Sequence, residues 1–299
     1  MISSHLGEIS ALLTALFWTI TAISFEQAGK RIGALALNWI RLVMGLAFLS
    51  VFTWISRGHL FPTDATGHAW LWLTVSGVIG FTFGDLCLFQ AFIMIGSRIS
   101  MLIMALVPPL TAILSWIVMG EMLMLVDLIG MFLVIGGIAL VVLDRPTAGK
   151  RIKLSHPVLG LLLAFGGALG QAIGLVLSKY GMGEYNAFSA TQIRGIAGII
   201  GFTILFFPLR RWGRVRDAFV HKSGMVYTTI GAFFGPFLGV SFSLLAVQHT
   251  EAGVASTIMA IVPVLIIPPA VFLFHERVTL KEILGAIIAV GGVALLFVH

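Results

Sequence analysis

Long apolar runs broken by short polar turns make up almost the whole chain. Runs of this length predict helices that cross a bilayer. About 20 residues rising 1.5 Å each span the hydrocarbon, and inside it every backbone group must be bonded within a helix or a closed barrel. No stretch alternates polar and apolar residues over the roughly 10 positions that a barrel strand needs. The pattern predicts spans near Ile9 to Phe25, Ala36 to Ile55, Ala69 to Ile95, Ile99 to Met119 and Met122 to Leu143, then near Val158 to Leu177, Phe188 to Phe207, Met225 to Val247, Ala252 to Phe274 and Leu280 to Val298. The expected fold class is an all-α integral membrane protein of ten transmembrane helices. The first run resembles a signal peptide in length, but Met1 to Glu8 carries no Lys or Arg, so it reads as a retained helix.

The polar segment Asp144 to His156 holds Pro146, Gly149 and four basic residues and is the natural linker. It divides the chain into a first repeat (1–144), a linker (145–156) and a second repeat (157–299). The two parts are copies. A shift of 155 pairs Gly80 with Gly235, Gly84 with Gly239, Pro108 with Pro263, Glu121 with Glu276 and Gly130 with Gly285, and IMALVP at Ile103 to Pro108 returns as IMAIVP at Ile258 to Pro263. Nearer the start of each half, a shift of 153 pairs Gly7 with Gly160, Arg41 with Arg194 and Gly45 with Gly198. Five helices per copy is an odd number, so the second copy is expected upside down relative to the first. Such inverted repeats are a recurrent architecture of secondary transporters, with the substrate held near the midplane.

Composition agrees: 59% of the 299 residues are hydrophobic and 10% charged, with a mean hydropathy of +1.07. No soluble core could bury so much apolar surface. The net charge of +6 does not point to nucleic acid, because the basic residues sit in short loops. Fourteen follow spans one, three, five, seven and nine; only Arg57 and Lys179 lie on the other side. The positive-inside rule places the basic face in the cytoplasm and both termini outside. The single cysteine, Cys87, excludes a disulfide within the chain and speaks against a thiolate metal site.

Several residues carry a resemblance to a known family: Trp18 in ALFWTIT, Arg41 in NWIRLVMG, the Pro108 stretch, and Gly120-Glu121 followed by Gly130 and Gly136-Gly137. Over nearly its whole length the chain resembles the EamA family of the drug/metabolite transporter superfamily. The resemblance implies ten helices in two inverted halves around a central cavity, and export or exchange of small metabolites, amino acids among them. It also implies cytoplasmic termini, opposite to the charge rule. Gln171 stands where Trp18 does in the first half, so the two cavity walls are expected to differ.

The sharpest candidate for chemistry is Asp85, a lone acid near the middle of the third span. A carboxylate there costs roughly 2.5–3.5 kcal/mol on insertion scales, so it must be protonated, paired or facing a wet cavity. It is a candidate for proton coupling or for a substrate amine; its counterpart in the second half is Val240. Arg41 and Arg194 either snorkel to the interface or bind a carboxylate or phosphate. Trp18, Gln90 and Gln171 are cavity candidates that could equally serve packing. Pro108 and Pro263 remove a backbone bond each and are candidate hinges. Ser76, Gly80 and Gly84, matched by Gly231, Gly235 and Gly239, share a helix face suited to close packing. Glu121 and Glu276 are expected to cap the helices that come after them, and Glu26 and Lys179 to anchor at the interface.

These features together read as a secondary transporter moving a small-molecule substrate by alternating access, with protons as the coupling ion, in the cell inner membrane or plasma membrane. Its partners are that substrate and the lipid bilayer. No catalytic residue, metal, cofactor or nucleic acid is expected, and GxxxxGK[ST] is missing from the sequence, so ATP-driven transport by this chain is excluded. The alternative is an integral membrane enzyme acting on lipid, which would need clustered His or carboxylates; the eight histidines are scattered, and His249-Glu251 and His275-Glu276 read as solvated turns. A channel is a third reading, excluded by saturable flux.

Overall fold

The computed structural model describes residues 5–144, 158–269 and 279–297. The expected linker, Glu276 and its neighbour His275 lie outside the described residues, as does the Glu26 side chain. Among the described residues every regular element is a helix, without strands. In the first half, α1 covers Leu6–Ile32, α2 Ala34–Arg57, α3 Gly67–Gly77, α4 Asp85–Met104, α5 Val107–Met119 and α6 Leu125–Asp144. In the second, α7 covers Val158–Met182, α8 Ala187–Leu209, α9 Trp212–Val220, α10 Lys222–Ala232, α11 Val240–His249, α12 Ala252–Met259, α13 Val262–Leu265 and α14 Leu280–Leu295. Among the described residues seven stretches are long and apolar enough to cross a membrane, and three shorter apolar helices, within α5, α6 and α14, accompany them.

Local sequence sets most of the ends. The Thr66 hydroxyl accepts from the Ala69 amide at the start of α3, and Asn186 accepts from Phe188 and Ser189 at the start of α8, each satisfying orphan donors of a first turn. Gly58 and Gly120 stop α2 and α5 in the left-handed region, at φ 76° and 72°, where a side chain would clash.

The sequence reading misplaces three features. The third and fourth spans are not parted near residues 96–98: helix runs on to Met104 and breaks at Ala105–Leu106. Gly96 alone does not stop a helix, whereas the Pro108 ring excludes the carbonyl of residue 104 from its normal place. The fifth span starts at Leu125 rather than Met122, because Glu121 to Met124 are not helical. The basic loop after the seventh span is itself a helix, α9, whose Trp212 packs edge-on to Trp39 and against Phe206, with ring centroids 5.6 and 5.0 Å away.

One further regularity has no counterpart in the apolar pattern. Between α3 and α4 the helix widens to π geometry over Val78–Gly84, and between α10 and α11 it does so over Phe233–Gly239. These segments coincide under the 155-residue shift. So do the breaks at Ala105–Leu106 and Ala260–Ile261. A π segment inserts one residue into the ladder and re-aims the turns beyond it, and it recurs at functional positions.

The packing is paired in the same way. The first helix, α1, lies against α10, α11 and the π segment between them, while its counterpart α7 lies against α3, α4 and theirs. Two further pairs, α2 with α8 and α6 with α14, join an element to its own counterpart, and α5 lies against α7 as its counterpart α13 lies against α1. That is the contact pattern of two halves related by a two-fold axis. At the α6–α14 pair a Cβ on Gly137 would stand 2.5 Å from the Gly285 carbonyl oxygen, and one on Gly292 2.8 Å from that of Gly130. Only glycine allows backbones so close.

The two small-residue faces pack as expected but not alike. Ser76, Gly80 and Gly84 meet Ser178, Gly174 and Gly170 of α7; the Ser76 hydroxyl donates to the Gly174 carbonyl at 2.6 Å, and a Cβ on Gly84 would sit 3.4 Å from Gly170. Gly231, Gly235 and Gly239 instead receive the side chains of Phe25, Thr21 and Trp18 from α1. One interface is glycine on glycine; the other is mainly ring on glycine.

Candidate functional site

A cavity of about 90 Å³ is lined by Trp18, Met104, Ala105, Val107, Gln171, Met259, Ala260, Val262 and Pro263, among others. These are counterparts: Trp18 with Gln171, and Met104, Ala105 and Val107 with Met259, Ala260 and Val262. The cavity therefore straddles the pseudo-two-fold axis. The helix breaks border it, and the missing N–H of Pro108 and of Pro263 removes the normal partner of the Met104 and Met259 carbonyls. Trp18 and Gln171 are thus brought together, with an aromatic face on one side and an amide on the other. The indole is positioned by Gly239, where a Cβ would lie 2.6 Å from its Nε1.

Asp85 begins α4 directly after the first π segment and forms an ion pair with Arg41 of α2. The Arg41 Nε donates to the Asn38 side-chain oxygen at 3.0 Å, and its guanidinium stacks between Phe25 and Phe89, 5.4 and 5.2 Å from the ring centroids. Snorkelling is not what the arginines do: Arg41 is 7% exposed and Arg194 4%. Arg194 lies over Phe81 at 4.8 Å and against Gly80 of the first π segment and Gly174 of α7. It makes no hydrogen bond or ion pair with the described residues, and its buried Nε is unpartnered. The structure thus brings Asp85, Arg41 and Arg194 into one buried charge cluster. Gln90 does not join it; this residue is exposed on α4 and lines neither the axial cavity nor the wider mouth near Arg57.

Where α2 and α11 end and α8 begins, this mouth of about 410 Å³ opens between Arg57, Glu184, Tyr185, Asn186, Ala187, Phe188, Leu245, Gln248 and His249. Its rim is organised by Asp64, which accepts from Arg57 at 2.6 Å and from the Tyr185 hydroxyl at 2.8 Å. Burial raises the Asp64 pKa, but the hydrogen bonds from Tyr185 and Arg57, a backbone hydrogen bond and the Arg57 charge together outweigh it and hold the carboxylate below its ordinary range; burial, then Asp64 itself, push the Tyr185 hydroxyl up. Gln248 fixes the loop by donating to the Gly183 and Tyr185 carbonyls at 2.7 and 3.1 Å. Phe188 links the mouth to a chain of rings, touching Phe52, Phe237 and Phe242, with Phe17 beyond. In the sequence Arg57 stood out only as a loop charge and His249 only as part of a solvated turn; the other rim residues did not stand out. Their types are ordinary at span ends, and only Tyr185-Asn186 before an apolar run hinted at an ordered loop.

Glu121 corrects another expectation. It caps not its own helix but α12, accepting from the Ala252 amide at 2.9 Å, and it pairs with Lys179, which also donates to the Thr250 carbonyl at 2.7 Å. The start of α6 is served by Asp127, which accepts from the Met124 amide at 2.8 Å. Lys179 is therefore a link between halves, not merely an interfacial anchor.

The geometry fits what comparison with other proteins finds. The model of the EamA-like transporter family matches residues 5–143 and again 158–298. A Haemophilus influenzae protein described as an uncharacterized transporter is 26% identical over 215 residues, 71% of this chain and 67% of that one. A crystal structure superimposes with a TM-score of 0.76 over 97% of this chain and 96% of its own at 16% identity, a likeness of fold. Two matched halves, apolar helices long enough to cross a bilayer, and a cavity between them make this chain a multi-pass membrane transporter belonging to the EamA-like transporter family.

Proposed function

We propose that the protein is a secondary transporter whose two halves, 1–144 and 157–299 joined by 145–156, cross the membrane five times each in opposite senses. The halves expose the axial cavity to either side in turn. The observation that carries this reading is the lining of that cavity by matched residues of both halves, each supplying a helix interrupted at the same place. Interrupted helices at a repeat interface are the usual binding element of such transporters. The two-fold contact pattern, taken with an odd number of crossings per half, supports inverted copies. Pro108 and Pro263 are the hinge points, because a helix lacking one backbone bond bends there at lower cost.

Trp18 and Gln171 contact the substrate, a small metabolite such as an amino acid or a related compound, and export is the direction. Asp85 is the coupling group: a proton on its carboxylate cancels the charge that holds Arg41 and frees the pair to rearrange. The basic loops, on the positive-inside rule, face the cytoplasm of a cell inner membrane or plasma membrane.

The test is uptake and counterflow of a metabolite panel by the purified protein in vesicles, with and without a pH gradient. Saturable exchange is expected, with its gradient dependence abolished and exchange retained in Asp85→Asn. An unchanged gradient response in that variant removes the coupling role, and flux that neither saturates nor responds to substrate on the far side removes alternating access.

A further inference from the structure

The charge cluster does not balance. Arg41 and Arg194 are counterparts, yet among the described residues one acid, Asp85, serves the two, because Val240 occupies the position in the second half that Asp85 occupies in the first. Asp85 is committed to Arg41, which is also held by Asn38 and two aromatic rings. Arg194, 4% exposed, makes no side-chain hydrogen bond with the described residues, and its buried Nε is unpartnered. An unpaired guanidinium buried within a membrane span is costly, and such residues mark ligand pathways.

Glycine on both neighbouring helices lets the guanidinium lie between them: a Cβ on Gly80 would come within 3.1 Å of its Nη2, and one on Gly174 within 3.5 Å. Ala187 lines the mouth, and Arg194, seven residues further along α8, lies on the same helix face about 10 Å deeper. The planar fork of a guanidinium matches a carboxylate in two parallel hydrogen bonds.

We infer that Arg194 is the binding position for a carboxylate carried by the substrate, and that Arg41 is a positioning residue that keeps Asp85 from occupying it. The inference rests on the transport reading above and names the substrate class: organic monoanions and zwitterions with a carboxylate. Without Arg41, Asp85 turns to Arg194 and competes with the substrate. Removing both Arg41 and the Asp85 charge clears the site again.

The probe pair is phenylacetate and phenylacetamide, chosen because aromatic rings lead inward from the mouth. Each is titrated onto the full chain in nanodiscs of zwitterionic lipid. Phenylacetate is expected to bind roughly tenfold or more tighter than the amide, the worth of one charge-assisted contact. Arg194→Gln abolishes the preference and Arg194→Lys keeps part of it. Arg41→Gln abolishes it, and Arg41→Gln with Asp85→Asn restores it; restoration is a readout that a merely structural Arg41 would not give, and it shows the fold intact. Equal or no binding of the two probes by the unaltered protein overturns the assignment, as does an undiminished preference in Arg194→Gln or a double variant no better than Arg41→Gln. Saturable metabolite exchange without carboxylate preference sinks this inference alone. Preference without any exchange supports it and sinks the transport reading.

Discussion

Two glycines one turn apart on α7 offer a direct test of the packing. Each is replaced by alanine, the smallest change that adds a Cβ. At Gly166 the new atom would meet the Cys87 sulfur at 3.5 Å and the Phe83 ring at 3.6 Å, which is ordinary contact. Only the gain in helix propensity remains, about 0.5–1 kcal/mol in favour of the folded state. At Gly170 the new atom would stand 2.7 Å from the Gly84 Cα, 3.1 Å from the Ile79 carbonyl oxygen and 3.2 Å from the Gly84 amide nitrogen. All three are backbone atoms of the π segment, with no side chain to swing aside. Carbon atoms rest about 3.5–4.0 Å apart, so α7 and the π segment must separate by about 1 Å. Overpacking of this kind costs about 1–3 kcal/mol and exceeds the propensity gain. Thermal unfolding of both variants in the same detergent should place Gly166→Ala at or above the unaltered protein and Gly170→Ala below it. A Gly170→Ala protein as stable as Gly166→Ala would refute the close backbone contact between α7 and the π segment.

Other outcomes rest on the same geometry. Gly239→Ala pushes the Trp18 indole off its seat and should cut exchange roughly tenfold or more at normal expression, as a misplaced binding group does; undiminished counterflow would contradict the placement of Trp18. Glu121→Ala uncaps α12 and should lower stability by about 0.5–2 kcal/mol, whereas Glu121→Gln keeps an acceptor for the Ala252 amide and should lose less; melting curves of the two, if identical, count against the cap. Because the Asp64 pKa is lowered in the folded protein, its contribution is present above the ordinary carboxylate range and is lost as pH falls through the folded value. Tyr185→Phe removes the hydrogen bond that lowers the Asp64 pKa most, so hydrogen exchange in residues 58–66 should lose protection at a higher pH than in the unaltered protein; an unmoved midpoint would show that Tyr185 does not hold the carboxylate.

How much of the structure is legible in the sequence depends on the range of the interaction. Spans and repeats are local or periodic, so the apolar runs and the two prolines reveal them. The matched cavity lining comes from the repeat itself, and Trp18 and Gln171 could be named from it. The Arg41–Asp85 pair joins residues 44 apart on different helices, and no spacing rule ties them. Glu121 reads as the cap of the next helix, yet 131 residues separate it from the amide it serves. The π segments left only a faint trace in Gly80 and Gly84, Gly235 and Gly239, with Pro236 inside the second. Gln90 failed because a polar residue in an apolar run does not reveal which way it points.

The unlike faces of α3–α7 and α10–α1 have a thermodynamic meaning. In a chain made of two identical halves, the form open to one side would be the mirror exchange of the form open to the other, and the two would have equal energy. Here one interface is clasped backbone to backbone and the other is wedged by Phe25 and Trp18. Exchanging the roles of the halves would require rings to enter where glycine meets glycine, so the degeneracy is lifted. Under the alternating access proposed above, the transporter would carry a resting preference for one side in its own sequence, before any gradient acts on it.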